Sequence, residues 1–239
     1  MSEFKSTFTY TKQQLKDKIS LGRDLIYNFY NFHDDLETEI DLTIREILKK
    51  YNRQDLQEVV YSTVKELAIN GVKANLKSLI FQEKDIDRTD AESIEQGIKV
   101  LHQVLASPDL MKEYDEKARV KKYKASLKLK HSSKRVIVMV TNSIPLSDEE
   151  EERIREKFKK ALNYESIAEY YMDNLDDAQA EGAGLGITMV VLLLKSVDIN
   201  PHAFAIYKNR DGETVAKIEI PLSDDYVSSR EIYDKLTNK

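Results

Sequence analysis

The sequence predicts an α+β fold, with helices concentrated in its first half and β-hairpins in its second. Two observations carry this. The first 120 of 239 residues hold three glycines and one proline, so little interrupts long helices there. From Tyr123 onward, apolar and polar residues alternate in two places, each around a turn-like segment, His131-Ser-Ser-Lys134 and Asn209-Arg-Asp-Gly212.

In chain order, residues 4–10 (FKSTFTY) alternate and suit a short strand. Leu15, Ile19, Gly22, Ile26, Phe29, His33, Leu36 and Ile40 follow steps of four and three, the spacing of a helical seam, with a bend expected near residues 31–35. A second helix is expected from Asp55 toward Ile80, with an apolar side of Val59, Val60, Val64, Leu67, Leu76, Leu79 and Ile80. Residues 82–90 read as a loop and 91–105 as an amphipathic helix. Ser107-Pro108-Asp109 opens another helix, with proline at its first position. The first hairpin pairs Ala125, Leu127 and Leu129 with residues 136–140. Ser147 before Asp-Glu-Glu-Glu-Glu is a helix start, the hydroxyl capping and the acids facing the positive end of the dipole. Residues 204–208 and 214–220 form the second hairpin, and a short helix is expected over 229–236.

Composition narrows the function. Thirty-seven basic and 42 acidic residues give a net charge of −5, which counts against a general nucleic-acid binder. The absence of cysteine removes disulfides, thiolate metal sites and cysteine nucleophiles. The polar start does not read as a secretory signal. The longest apolar run, residues 187–194, is well short of the ~20 residues of a membrane span. A soluble, cytoplasmic protein is the expectation.

Two segments could carry chemistry. Glu66, Asn70 and Lys73, spaced by four and three, stack on one helix face and offer a carboxylate, an amide oxygen and an ammonium. Such a set can position water, hold Mg²⁺ and neutralise phosphate; a solvated face with an ion pair has the same pattern. The second segment is Gly182-Ala183-Gly184-Leu185-Gly186, which holds three of the seven glycines. Glycine lets backbone approach phosphate, and a following helix adds free N–H groups. No Lys-Ser/Thr follows, so a Walker loop is disfavoured, and so is a Rossmann site, for want of a preceding first strand.

The order of segments resembles the GHKL superfamily, the histidine kinase-like ATPases. Glu66-Leu67 through Asn70 and Lys73 looks like its N box. Residues 138–143 (Val-Met-Val-Thr-Asn-Ser) stand where the first glycine box belongs. Ile154 and Phe158 look like the hydrophobic box, and Gly182 to Gly186 like the second glycine box. The resemblance covers residues 53–222. It implies a two-layer α/β sandwich of the Bergerat type, with a mixed sheet covered on one side by helices. The domain reading is an N-terminal strand and helical segment (1–52), whose seam could form a dimer interface, and an ATP-binding domain (53–239) with a helical insertion at about 83–121 that the family pattern does not account for. ATP and Mg²⁺ are the implied cofactors: Asn70 would hold Mg²⁺, Glu66 would act as base or orient the attacking group, and Lys73 would touch phosphate. Asn142, Gly182, Gly184, Leu185 and Gly186 would contact nucleotide, under a lid from Lys159 to Glu181. The implied partner is a response regulator or another signalling protein.

The sequence departs from that pattern. Asn142 stands where the family has the Asp that accepts a hydrogen bond from adenine. Replacing a charge-assisted bond of about 1.5–3 kcal/mol by a neutral one of about 1 weakens binding about tenfold. Ser143 and Ile144 replace glycine, Gly71 replaces alanine, and Asp173, Asp176 and Asp177 put acids in the lid. These changes motivate an alternative, a degenerate member that docks proteins or relays phosphate. His33, followed by two Asp, faintly resembles a phosphoacceptor. The other three histidines are isolated and suggest no metal. A third reading, a helical interaction protein outside the superfamily, predicts that the glycine segment lies away from the Glu66–Asn70 face.

Overall fold

A computed structural model describes residues 9–173, 185–228, 232, 233 and 236, and the statements below concern those residues. Thr11 and Gln14 form a capping box that starts α1 (Lys12–Ser20). Then come β1 (Leu25–Phe29) and α2 (Asp34–Lys50), whose last turn carries Lys49 and Lys50 against the negative end of the dipole. A 3-10 turn, Gln54–Leu56, leads into α3 (Gln57–Glu83), the longest helix described. After a loop over 84–90, Asp90 caps α4 (Ala91–Ala106). Ser107 then caps α5 (Pro108–Lys121), with proline in its first turn as the sequence predicts.

The first hairpin is β2 (Ala125–His131) and β3 (Arg135–Asn142). Ser147 and Glu150 form the capping box of α6 (Asp148–Leu162). Helices α7 (Ile167–Asp173) and α8 (Leu185–Lys195) follow, then β4 (Phe204–Lys208) and β5 (Thr214–Pro221). The expected α+β class is therefore present. The expected terminal strand over 4–10 lies mostly outside the described residues, and so does most of the helix expected over 229–236. Ile232, Tyr233 and Leu236 are described, and are helical.

The strands form one sheet in the order β1-β2-β3-β5-β4. All four pairings are antiparallel, which corrects the mixed sheet that the resemblance implied. Register explains the core. Leu25, Leu129, Val138, Ile218 and Phe204 lie side by side across all five strands, and each is buried. Their alternates Ser126, Lys128 and Lys130 turn to the other face and stay partly exposed, as period-two pleating requires. On that other face Glu219 is 3% exposed and bonds to Arg135, Lys217 and Tyr226, so its charge is matched where it is desolvated.

Helix α3 lies on the apolar face, against β2 and β3, with α2, α4, α5 and α8 packed around it. Two glycines allow close packing. A Cβ on Gly71 would stand 3.3 Å from Val140 Cγ1, so this position lets α3 approach β3. A Cβ on Gly97 of α4 would stand 2.5 Å from Cε1 of Phe81, a ring only 5% exposed.

The helical seam through residues 15–40 is corrected. Its middle is a strand, with Leu25, Tyr27 and Phe29 buried and Ile26 and Asn28 exposed. The Tyr10 hydroxyl donates to Ile26 O at 2.8 Å and accepts from Ile26 N–H at 2.9 Å. The arm carrying Tyr10 is held in turn by Glu39, whose two carboxylate oxygens accept from Thr9 and Tyr10 N–H groups at 2.9 Å. Ile19, Phe29, Leu36 and Ile40, which suggested a dimer face, are buried in the chain's own core.

Two predictions follow from packing and burial. Gly97→Ala gains about 1 kcal/mol of helix propensity but meets the buried Phe81 ring, and such overpacking costs about 1–3 kcal/mol. The expected net is a lower urea midpoint, recovered when Phe81→Leu is added. His131 is 7% exposed with its Nδ1 2.9 Å from the Tyr51 hydroxyl. Burial, then the charge of Lys50, holds its imidazole below the ordinary value. Below about pH 6.5 the unfolded chain therefore takes up a proton that folded His131 resists, so stability falls as pH drops. In urea titrations at pH 7.5 and 5.5, His131→Gln should shrink the difference seen in the wild type; an unchanged difference refutes the assignment.

Candidate functional site

Glu66 and Asn70 project from successive turns of α3, and Asn70 Nδ2 donates to Glu66 Oε1 at 2.8 Å. Both side chains are partly buried, so they remain reachable. The start of α8 lies directly against them. A Cβ built on Gly186 would stand 2.0 Å from Glu66 Oε1 and 2.6 Å from Asn70 Nδ2. The absence of a Cβ leaves that volume to the Glu66 carboxylate, which a side chain at 186 would displace. The separation that the third reading predicts is not found at Gly186, which reaches the Glu66–Asn70 face.

Asn142 closes the other end of the same region. It ends β3, is 8% exposed, and its Cβ lies 3.9 Å from where a Gly71 Cβ would be, one residue along from Asn70. Its Oδ1 accepts from Ile144 N–H at 3.0 Å, so the side chain shapes the turn that leaves β3. Ser143 Oγ bonds to Lys124 O at 3.1 Å, and Thr214 Oγ1 to Ile144 O at 2.7 Å; together they fix this turn against its neighbours.

Lys73 lies apart from the pair. It lines a cavity of about 620 Å³ between α3, α5 and the turn before α2, with Ile69, Val72, Phe32, Met111 and Asp115 among its other walls. Leu185 opens α8 beside Gly186, while Gly182 and Gly184 lie outside the described residues. In the segment expected as a lid, α6 runs to Leu162 and α7 spans Ile167–Asp173. Asp176 and Asp177 lie outside the described residues. Lys195 ties the residues that follow α6 to α8, donating to Leu162 O at 3.3 Å and Tyr164 O at 2.6 Å. Phe158, expected as part of a hydrophobic box, packs beside His202 and Phe204, with ring centroids 5.5 and 6.3 Å away.

His33 sits at the N-cap of α2, where Nδ1 accepts from Leu36 N–H at 3.3 Å, rather than midway along a helical seam. Among the described residues no group of three or more His, Cys, Asp or Glu could hold a metal ion. The donor set at Glu66 and Asn70 nevertheless fits one kind of cation. With Nδ2 and Oε1 bonded to each other, Asn70 Oδ1 and the second Glu66 oxygen have no protein partner among the described residues. One or two oxygens completed by water and phosphate is a pattern that Mg²⁺ accepts.

Sequence reasoning missed one group. Lys77, one further step along the 66-70-73 face, approaches Glu150 of α6 at 4.0 Å. Burial pushes its ammonium below the usual lysine range; Glu150 opposes this, and Arg153 and Arg88 add to it. Lys157 is held down likewise, by burial and then by Arg153 and Lys77. The continued spacing at Lys77 was the available signal; its partners on α6 were not visible in sequence.

The contact at Gly186 yields a prediction. Gly186→Ala must displace the Glu66 carboxylate and break its bond to Asn70. Because Glu66 can swing outward, stability should change by no more than about 1 kcal/mol. The Asn70 side-chain amide signals in ¹⁵N NMR spectra should shift; unmoved signals would show that the contact is not made.

No family model matches the chain. A protein of Treponema pallidum (strain Nichols), described as uncharacterized, is 22% identical over 209 residues, which cover 87% of this chain and 40% of that protein. The chain thus spans less than half the length of that relative. Among solved structures, it is similar to a chain in the crystal structure of the SiaB-SiaC complex from Pseudomonas aeruginosa. That likeness has a TM-score of 0.39 and 15% identity, and covers 90% of this chain and 99% of that one.

Proposed function

We propose that this chain is an ATP-binding signalling protein of the histidine kinase-like ATPase class, with nucleotide held between α3 and the glycine segment that leads into α8. The observation that carries the reading is the contact of Gly186 with Glu66 and Asn70. Two segments that the resemblance assigns to one nucleotide site are far apart in sequence and adjacent in space. In this reading Asn70 Oδ1 is the protein ligand of Mg²⁺, and Glu66 orients or deprotonates the attacking group. The first N–H groups of α8 face phosphate, favoured by the helix dipole. Lys73 supplies a further cation at the rim. Asn142 meets the base, and a signalling protein such as a response regulator receives the output.

One observation favours the alternative, a degenerate member that docks proteins or relays phosphate. Asn142 Oδ1 already accepts from Ile144 N–H, so base recognition has only its remaining acceptor capacity to use.

Calorimetric titration with ATP and Mg²⁺ tests the proposal. Saturable heat is expected, with affinity about tenfold or more weaker for Asn70→Ala. Asn142→Asp, which restores a charged acceptor, should tighten binding about tenfold. No heat at millimolar nucleotide overturns nucleotide binding and leaves the docking reading.

A further inference from the structure

Helices α3 and α6, linked by the Lys77–Glu150 ion pair, each carry cations that the nucleotide reading does not use. Lys77 lies two turns beyond Asn70 on α3, about 10 Å along the axis at 1.5 Å per residue. On α6, Glu150, Arg153 and Lys157 follow steps of three and four and therefore share one face. Glu150 of that face meets Lys77 at 4.0 Å. Arg88, from the loop after α3, joins them: its guanidinium lies 5.7 Å from the centre of the Phe81 ring, and Lys77 Nζ lies 5.4 Å from the same centre.

Lys77, Arg88, Arg153 and Lys157 are thus like-charged neighbours, and Glu150 is the carboxylate that pairs with Lys77, in a protein whose net charge is −5. Glu150 is only partly available, because its other oxygen accepts from Ser147 N–H in the capping box. Lys157 has no ion-pair partner among the described residues. Partial burial of Lys77 and Lys157 makes the arrangement costlier, since it removes water that would screen like charges. Mutual repulsion of partly buried lysines weakens the fold, and groups arranged against stability in this way are characteristic of binding sites.

We propose that Lys77, Arg88, Arg153 and Lys157 form a binding site for a chain of linked phosphates. A ligand with charges spaced along its length can neutralise cations contributed by two helices and a loop, which a single small anion cannot. Lysine suits this role as a mobile point charge, and arginine adds paired donors. The site does not depend on the nucleotide reading. The same chemistry can come from the phosphates of a nucleotide or from free inorganic polyphosphate.

The test is titration of the full chain with sodium tripolyphosphate, at ionic strength held constant with NaCl, read by calorimetry and by thermal unfolding. A saturable rise in Tm is expected. The double variant Lys77→Gln, Lys157→Gln should bind about tenfold or more weakly. Without ligand, its own Tm should equal or exceed that of the wild type, a gain that residues with a merely structural role would not give. Should the double variant fail to fold, Arg153→Gln, at an exposed position, carries the same binding readout. Asn70→Ala, which tests the nucleotide reading, should leave tripolyphosphate affinity within about twofold, since distant sites act independently.

The proposal is overturned if NaCl alone reproduces the Tm rise, if the variants bind as tightly as the wild type, or if a glutamate-rich peptide binds as well as tripolyphosphate. Displacement of tripolyphosphate by ATP with Mg²⁺ supports the site and identifies nucleotide phosphates as its ligand. Simultaneous binding of both supports the site and identifies free polyphosphate.

Discussion

The close approach of α3 to the sheet at Gly71 sets the position of nearly everything else. Without a Cβ at that point, α3 settles against Val140, and its remaining faces become the packing surfaces for α2, α4, α5 and α8. A helix enclosed on so many sides carries no narrow apolar stripe: Val60, Val64, Ala68, Val72, Leu76 and Ile80 are all buried, and so are Thr63, Asn75 and Ser78. The face carrying Glu66, Asn70, Lys73 and Lys77 stays partly open. Because the helix backbone is fixed by its packing, those four side chains project from a rigid support, which a site needs if its groups are to be held in register.

Local rules made most of the elements legible in sequence. Both hairpins announced themselves by period-two alternation, and α5 and α6 by Ser107-Pro108 and by Ser147 before an acidic run. The strand β1 was hidden because Ile26 and Phe29 also fit the steps of four and three that run from Leu15 to Ile40. The competing signal was Leu25, Tyr27 and Phe29, three large residues at alternate positions, and pairing with β2 favoured it. The antiparallel sheet was not legible either, since strand direction depends on which distant segments pair.

The candidate site was legible in its parts more than in its assembly. Spacing alone placed Glu66 and Asn70 on one helix face. It also grouped Lys73 with them, where the structure gives that lysine a second environment, the cavity shared with α5. The contact of Gly186 with Glu66 depends on how α8 crosses α3, which no local pattern encodes. The same holds for Lys77 and Lys157: each looks in sequence like an ordinary solvated lysine, and only the folded arrangement, with Lys77 paired to Glu150 of α6, makes them neighbours.

The Tyr10 hydroxyl, bonded to both the N–H and the C=O of Ile26, has a consequence for how this molecule meets others. A strand added outside β1 would need those two groups, and a phenol already bonds to both. Extension of the sheet past β1 would first require release of the arm from Glu39. The two borders of the sheet are therefore unequal among the described residues: β1 resists unwanted self-association by means of the arm, while β4 has Lys208 and its own short length.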